Sequence, residues 1–429
     1  MNYIKLKMIR KNNERMHKKV YKNMAMQYLM SIAQYIFPLL TFPYLTRLLE
    51  PEGYAIIVYM GGIVIYFQHI IDFGFTLSST KDIAQMQGKP SEIEKVWGST
   101  TQAKMLLSVV SIVLFSCIIP FISIMRDNLL ISYLFLFTPL LSVFLPDYLF
   151  RGLEDMGVIT IRFVVTKSIS TALTFILVRG REDILLIPLL SIASSMVAIV
   201  LTQIQIKKKY HLKMRIVKMK EVISNIRESW TYFISTIATT AFGVFNTFML
   251  GIMPTVSMTD IGYWGAFYTI IGAAQGLYVP IVNSIYPHMA KVKDFIFIKK
   301  ILWFFMPAII VTSVLTWVFA KDIINILCGS EYLAGLQLFR LMVPLLIISF
   351  PVLILNFPVL GATGNIKETA KLTIMGACFH ISALVVIAAI GRFTVENVAI
   401  IRVLTEAMLL FLVIFYIRRK TDFFKDNRD

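Results

Sequence analysis

Residues 38–84 read PLLTFPYLTRLLEPEGYAIIVYMGGIVIYFQHIIDFGFTLSSTKDIA. One apolar run closes at RLLEPEGY, and a second leads into DFGF and a polar loop. Each run is long enough to cross a bilayer as a helix, so the stretch predicts a transmembrane helical hairpin with a tight turn. Arg47 falls at the outer end of the first run and Asp72 about one turn inside the inner end of the second. A carboxylate at that depth must snorkel to the interface or be paired or hydrated, which makes Asp72 a candidate for ion coupling.

Working outward, apolar runs of this length recur along all 429 residues, 57% of which are hydrophobic. A mean hydropathy of +0.73 lies far above that of a soluble domain. The expected fold class is therefore an all-α integral membrane protein with about twelve transmembrane helices. They are placed at 24–48, 53–77, 99–125, 129–150, 157–178, 183–205, 229–253, 262–287, 300–320, 336–361, 367–390 and 395–417. Of the 42 Lys and Arg residues, about three quarters fall in segments on one side of these spans, as the positive-inside rule requires. That asymmetry puts both termini in the cytoplasm. It also reads the net charge of +17 as topology signal and membrane-lipid contact, with no nucleic acid as partner.

The division that follows is a basic tail (1–23), a six-helix bundle (24–205), a basic linker (206–228), a second bundle (229–417) and a tail (418–429). Within the linker, Ile216, Met219, Val222, Ile223 and Ile226 suggest an amphipathic helix lying on the inner leaflet. The halves repeat. Gly53-Tyr54 and Gly262-Tyr263 stand 209 residues apart, as do Gly152 and Gly361, and prolines recur at sevens in the fourth (139, 146) and tenth (344, 351, 358) spans. Six spans is an even number, so the repeat is parallel, about an axis along the membrane normal.

Polar residues in the spans are the candidate site. The first span carries Gln27, Ser31, Gln34, Pro38 and Thr41 on one helical face, and the seventh carries Tyr232, Thr236, Thr239, Gly243 and Asn246. Each seam is read either as helix–helix hydrogen bonding or as one wall of a wet lumen. Arg162 and Lys167 lie inside the fifth span with no acid beside them. A cation at a helix centre costs about 2.5–3.5 kcal/mol, so the pair implies a wet or anion-binding interior. Lys104 sits near the inner end of the third span, where a lysine can snorkel. Asp147 and Arg151 are spaced for an i, i+4 pair, and so are Arg402 and Glu406 in the last span. His380 and Arg340 have bland readings, a bundle histidine and a snorkelling arginine. The substrate-path candidates are Arg162, Lys167, Lys104, Arg47, Gln34, Asn246 and Arg402, and the ion-coupling candidates are Asp72 and Glu406.

Two segments, FPYLTRLLEPEGY (42–54) with the following DFGF, and FRGLEDMGVIT (150–160), resemble the Wzx-type polysaccharide (O-antigen) flippases of the MATE/MOP superfamily. The chain departs from that family's usual pattern at Glu50, where Gly is usual, and at Arg151, where Gln is usual. The resemblance implies a flippase moving undecaprenyl-pyrophosphate-linked oligosaccharide to the outer leaflet of the bacterial inner membrane by alternating access. It implies H+ or Na+ as coupling ion and other polysaccharide assembly proteins as partners. The alternatives are a MATE-type drug exporter, a lipid II-type flippase and, last, a non-transporting membrane protein.

Enzymatic classes find little support. There is no GxxxxGK[ST] phosphate loop and no HExxH. Cys117, Cys328 and Cys378 are too scattered for a metal or disulfide pattern. Neither a cofactor nor a metal is expected.

Overall fold

The computed structural model describes residues 2–361, 364, 366–421 and 423. Among them the chain is nearly all helical, without a strand. Ten helical stretches are long and apolar enough to cross a membrane. The first, Tyr21–Gln85, runs for 65 residues, roughly three times what a single crossing needs, and so holds two. With it and the 34-residue helix Met219–Ile252, the twelve expected spans are accounted for.

The fold back between the first two spans happens at Glu50, whose φ of 56° and ψ of 176° interrupt the helix Asn2–Asp72. That region of backbone space is essentially reserved for glycine. The departure at Glu50 seen in the sequence thus falls on a residue whose backbone favours the missing glycine. Pro51 follows and cannot continue the preceding helix.

The described chain forms two compact units. One comprises residues up to 41, 64–121 and 125–237; the other comprises 42–63, 122–124 and the chain from 238 onward. In the first, DFGF makes the second reversal. Phe73 (φ 40°) and Gly74 (φ 77°) both take positive φ, and a Cβ on Gly74 would come within 2.6 Å of the Tyr232 Cβ and 2.8 Å of the Phe233 nitrogen. Phe73 stacks on Phe233 with ring centroids 4.3 Å apart. Around this contact Phe75, Ala103, Leu107 and Val222 bury a small core. A larger one gathers Ile83, Trp97, Tyr148, Phe150, Ile159 and Leu212.

The linker differs from its sequence reading. Residues 211–218 are not helical, and the helix that begins at Met219 continues without a break into the seventh span. The segment is tied down by backbone bonds to the helix Pro90–Ile118. The Lys213 N–H donates to Glu94 (2.7 Å), the Val217 N–H donates to Gln102 Oε1 (2.9 Å), and the Gln102 amide donates back to the Val217 carbonyl (3.3 Å). Val222 is fully buried, whereas Ile216, Met219 and Ile223 are exposed. Apolar spacing alone could not distinguish a leaflet-facing helix from the protein-facing foot of a longer one.

In the second unit, glycines bring helices close, as small residues do in membranes. A Cβ on Gly262 would fall 2.0 Å from the Pro51 carbonyl oxygen, on Gly265 2.5 Å from Val58, and on Gly251 2.0 Å from the Tyr59 ring. The prolines at sevens break the spans they occupy. The helix Leu129–Leu141 passes through a 3₁₀ turn, Ser142–Phe144, before Asp147–Gly152 resumes. The helix Pro344–Ile354 gives way to a π-helical turn, Leu355–Gly361. Both breaks lie where Pro146 and Pro358 lack an N–H to donate.

Glu50→Gly is expected to stabilise the protein by about 1 kcal/mol. Relief of a conformation costing about 1–3 kcal/mol is partly offset by roughly 0.5–1 kcal/mol of extra unfolded-chain entropy. Thermal unfolding in detergent checks this; a lowered Tm contradicts it.

Candidate functional site

The first unit holds two buried ionic clusters, each built by a break in a helix. At the end of the second span, Asp72 accepts from Lys104 Nζ (2.8 Å) and from the Gln68 amide (2.6 Å). The same amide donates to Ser142 Oγ (2.9 Å), and Lys104 also donates to the Ser142 carbonyl (2.9 Å). That carbonyl belongs to the 3₁₀ turn, where the helical ladder is interrupted. Lys104 does not snorkel; it is only 3% exposed. It sits about four turns along the helix Pro90–Ile118, and Asp72 supplies the negative charge that makes its burial tolerable.

Arg162 is the centre of the second cluster. Its guanidinium donates to Asp147 (2.6 Å) and to Thr202 Oγ1 (2.9 Å). This corrects two sequence expectations. Asp147 pairs with Arg162, fifteen residues on, and not with Arg151, whose Nε finds no hydrogen-bond partner among the described residues. Arg162 therefore has an acid beside it, supplied by the helix Asp147–Gly152, which folds against the start of Met156–Leu177.

Lys167 is different. It lies midway along Met156–Leu177, half-buried, and no ion pair or hydrogen bond is found for it among the described residues. Of the two cations the sequence placed in this span, one is paired with a fixed acid and the other has no such partner among the described residues.

In the second unit, the helix Val395–Lys420 presents Arg402, Thr405 and Glu406 to the interior. Arg402 donates to Glu406 (2.7 Å), forming the expected i, i+4 pair, and also hydrogen-bonds Tyr268. Beside it His380 is wholly buried and satisfied as a bundle histidine should be. Nδ1 meets Thr405 Oγ1 at 2.9 Å, and Nε2 meets Asn246 Oδ1 at 2.8 Å. Thr405 already gives its proton to the Ile401 carbonyl (2.7 Å), so His380 Nδ1 is the donor in that pair. Asn246, a candidate from the seventh-span seam, is thus part of a packed hydrogen-bond network.

The other candidates separate by exposure. In the first-span seam Gln27, Gln34 and Pro38 are exposed, while Ser31 and Thr41 are half-buried. Thr239 of the second seam lies outside the described side chains. Arg47 is exposed and donates to the Asn325 carbonyl (3.4 Å) and, more closely, to that of Ile326. It caps the C-terminus of the helix Ala320–Leu327, where a cation is favoured by the helix dipole. Arg340 lies over the Trp317 ring, 4.6 Å from its centroid.

Outside the spans, Asp155 holds the loop before the fifth span. Burial alone would push its carboxyl up, but hydrogen bonds from Lys209 and Tyr210 and the charges of Lys209 and Lys22 bring it below the usual range.

The sequence signalled neither Ser142 nor Ser349. Gln68 bonds Ser142 across 74 residues, and Gln275 bonds Ser349 (2.6 Å) across the same 74. Each bond lies within its own unit, and the two are offset by 207 residues. The duplication suspected from glycines and prolines therefore extends to a matched hydrogen bond. Only the first copy adds an ion pair: Asp72 follows Gln68 by four residues, and Val279 follows Gln275 by four.

Removing Asp72 while keeping Lys104 should cost about 3–5 kcal/mol, the range for orphaning one member of a buried pair. Asp72→Ala should therefore lower the Tm sharply, and Asp72→Ala with Lys104→Met should recover most of the loss. Equal Tm values for Asp72→Ala and wild type would contradict the pairing.

Comparison with known proteins places these clusters in context. Residues 20–293 match the family described as "Polysaccharide biosynthesis protein". Two relatives carry the name "Putative O-antigen transporter". That of Shigella dysenteriae is 24% identical over 290 residues, covering 65% of this chain and 70% of its own. That of Escherichia coli (strain K12) is 23% identical over 392 residues, covering 90% and 94%. Among solved structures, an inward-facing multidrug resistance MATE family transporter of the MOP superfamily aligns with TM-score 0.67 and 12% identity, over 92% of this chain and 96% of its own. The lipid II flippase MurJ, in an inward closed conformation, aligns with TM-score 0.66 and 14% identity, over 93% and 87%. The helical fold is that of the MATE and MurJ transporters.

Proposed function

Because the chain belongs to the polysaccharide biosynthesis protein family, we propose that it is a flippase. Its cargo is an oligosaccharide repeat unit carried on a polyprenyl diphosphate, moved from the cytoplasmic to the outer leaflet of the bacterial inner membrane. The fold by itself does not choose the cargo, since a drug transporter and a lipid flippase share it. What carries the reading is Lys167: a cation held midway along a span, without a counter-ion among the described residues. Such a charge is costly unless the site is wet or an anion arrives, and the diphosphate is an anion. Sugar hydroxyls would find partners on the exposed face of Gln27 and Gln34.

The remaining deep charges have other work. Arg162, Lys104 and Arg402 are held by Asp147, Asp72 and Glu406. Movement of H+ or Na+ onto Asp72 or Glu406 would release the paired cation, which couples an ion gradient to the state of the unit. Arg47 serves as a helix cap, and Asn246 as a structural partner of His380. No chemical bond changes; the protein is a transporter whose repeat units pass on to the assembly machinery of the polysaccharide.

Lys167→Ala and Lys167→Glu are expected to lower surface polysaccharide at least tenfold at normal membrane abundance, with Lys167→Arg largely active. Wild-type polysaccharide from Lys167→Glu would overturn the assignment of this residue.

A further inference from the structure

At the basic end of the first unit, a half-open cleft of about 490 Å³ lies between the first span and the helices Met156–Leu177 and Leu186–Gln205. Lys22, Lys209 and Arg162 face it, with Asp155, Thr202 and Gln205. Two of the three cations are already matched, Arg162 by Asp147 and Lys209 by Asp155. Lys22 is exposed; its charge bears on Asp155, which Lys209 already holds, and it has no ion pair or hydrogen bond of its own among the described residues. The cleft therefore carries one positive charge in excess.

Its wall turns apolar away from this head. Ile161, Val165 and Ile169 follow one another at four-residue intervals, so they share one helical face, and they are 58%, 42% and 51% exposed. Leu201 and Ile204 on the neighbouring helix are exposed as well. A basic pocket continued by an apolar track matches an amphiphile whose head is a single anion and whose tail lies along the span.

We propose that this cleft binds one anionic glycerophospholipid from the leaflet at the basic end, its phosphodiester on Lys22 and its acyl chain along Ile161, Val165 and Ile169. The single excess charge matches a phosphodiester and not a diphosphate. The site is therefore separate from the cargo path and does not rest on the reading of Lys167. Gln205 and Asp155 are placed to accept or share hydrogen bonds with headgroup hydroxyls.

The test is native mass spectrometry of the full chain in detergent with equal phosphatidylglycerol and phosphatidylcholine. The wild type should retain one phosphatidylglycerol about fivefold over phosphatidylcholine, the preference expected of one lysine near an anionic head. Lys22→Glu should abolish that preference, and Val165→Trp, which fills the cleft, should lower retention of both lipids. Lys81→Glu, an exposed lysine outside the cleft, should change nothing. Equal retention of the two lipids by wild type, or an unaltered preference in Lys22→Glu, would overturn the proposal. Displacement of phosphatidylglycerol by equimolar undecaprenyl phosphate would also overturn it, by making the cleft a cargo site.

Discussion

An ionised side chain inside a hydrocarbon layer needs a counter-charge, a wet cavity or a route to the surface, and much of this structure follows from how that need is met. Lys104, Arg162 and Arg402 each reach a carboxylate, and Asp72 is held further by the Gln68 amide. Such pairs gain little net stability over apolar packing, but breaking one is expensive. Lys104–Asp72 and Arg162–Asp147 therefore act as locks between particular helices, whereas Arg402–Glu406 lies within one. Against that background Lys167 stands apart, because the same rule is not met for it by the described protein groups.

The two halves show how a duplicated unit can acquire a specialised site. Gln68–Ser142 and Gln275–Ser349 are the same bond made twice, each joining the second helix of a half to the proline-broken fourth. In the first half Asp72 and Lys104 have been added to it, whereas the second half has Val279 at the position corresponding to Asp72. The second half instead builds its polar core from Asn246, His380, Thr405, Arg402 and Glu406. The polar content of the two units is thus of different kinds, the first rich in lysine and arginine paired across helices, the second centred on a buried histidine network beside the local pair Arg402–Glu406.

Much of the fold was legible in the sequence because crossing a membrane is a local demand. About twenty apolar residues must stand together, and turns must carry residues such as Pro51 and Gly74. The i, i+4 pair Arg402–Glu406 was legible for the same reason. What escaped were partners far apart along the chain: Asp147 for Arg162 and Asp72 for Lys104 depend on which helices touch. That Arg47 meets the end of Ala320–Leu327 could not be read from the sequence either. The linker misled for a subtler reason. Its apolar spacing was real, but Val222 faces protein, and residues 211–218 are non-helical and bonded to Glu94 and Gln102.

The most direct test of the central claim is the sidedness of lipid-linked intermediates in cells lacking this chain. Deletion should abolish the surface polymer and leave polyprenyl-diphosphate-linked repeat units accumulated on the cytoplasmic face, with wild-type protein restoring both. Normal polymer after deletion, with intermediates distributed as in wild type, would contradict the account.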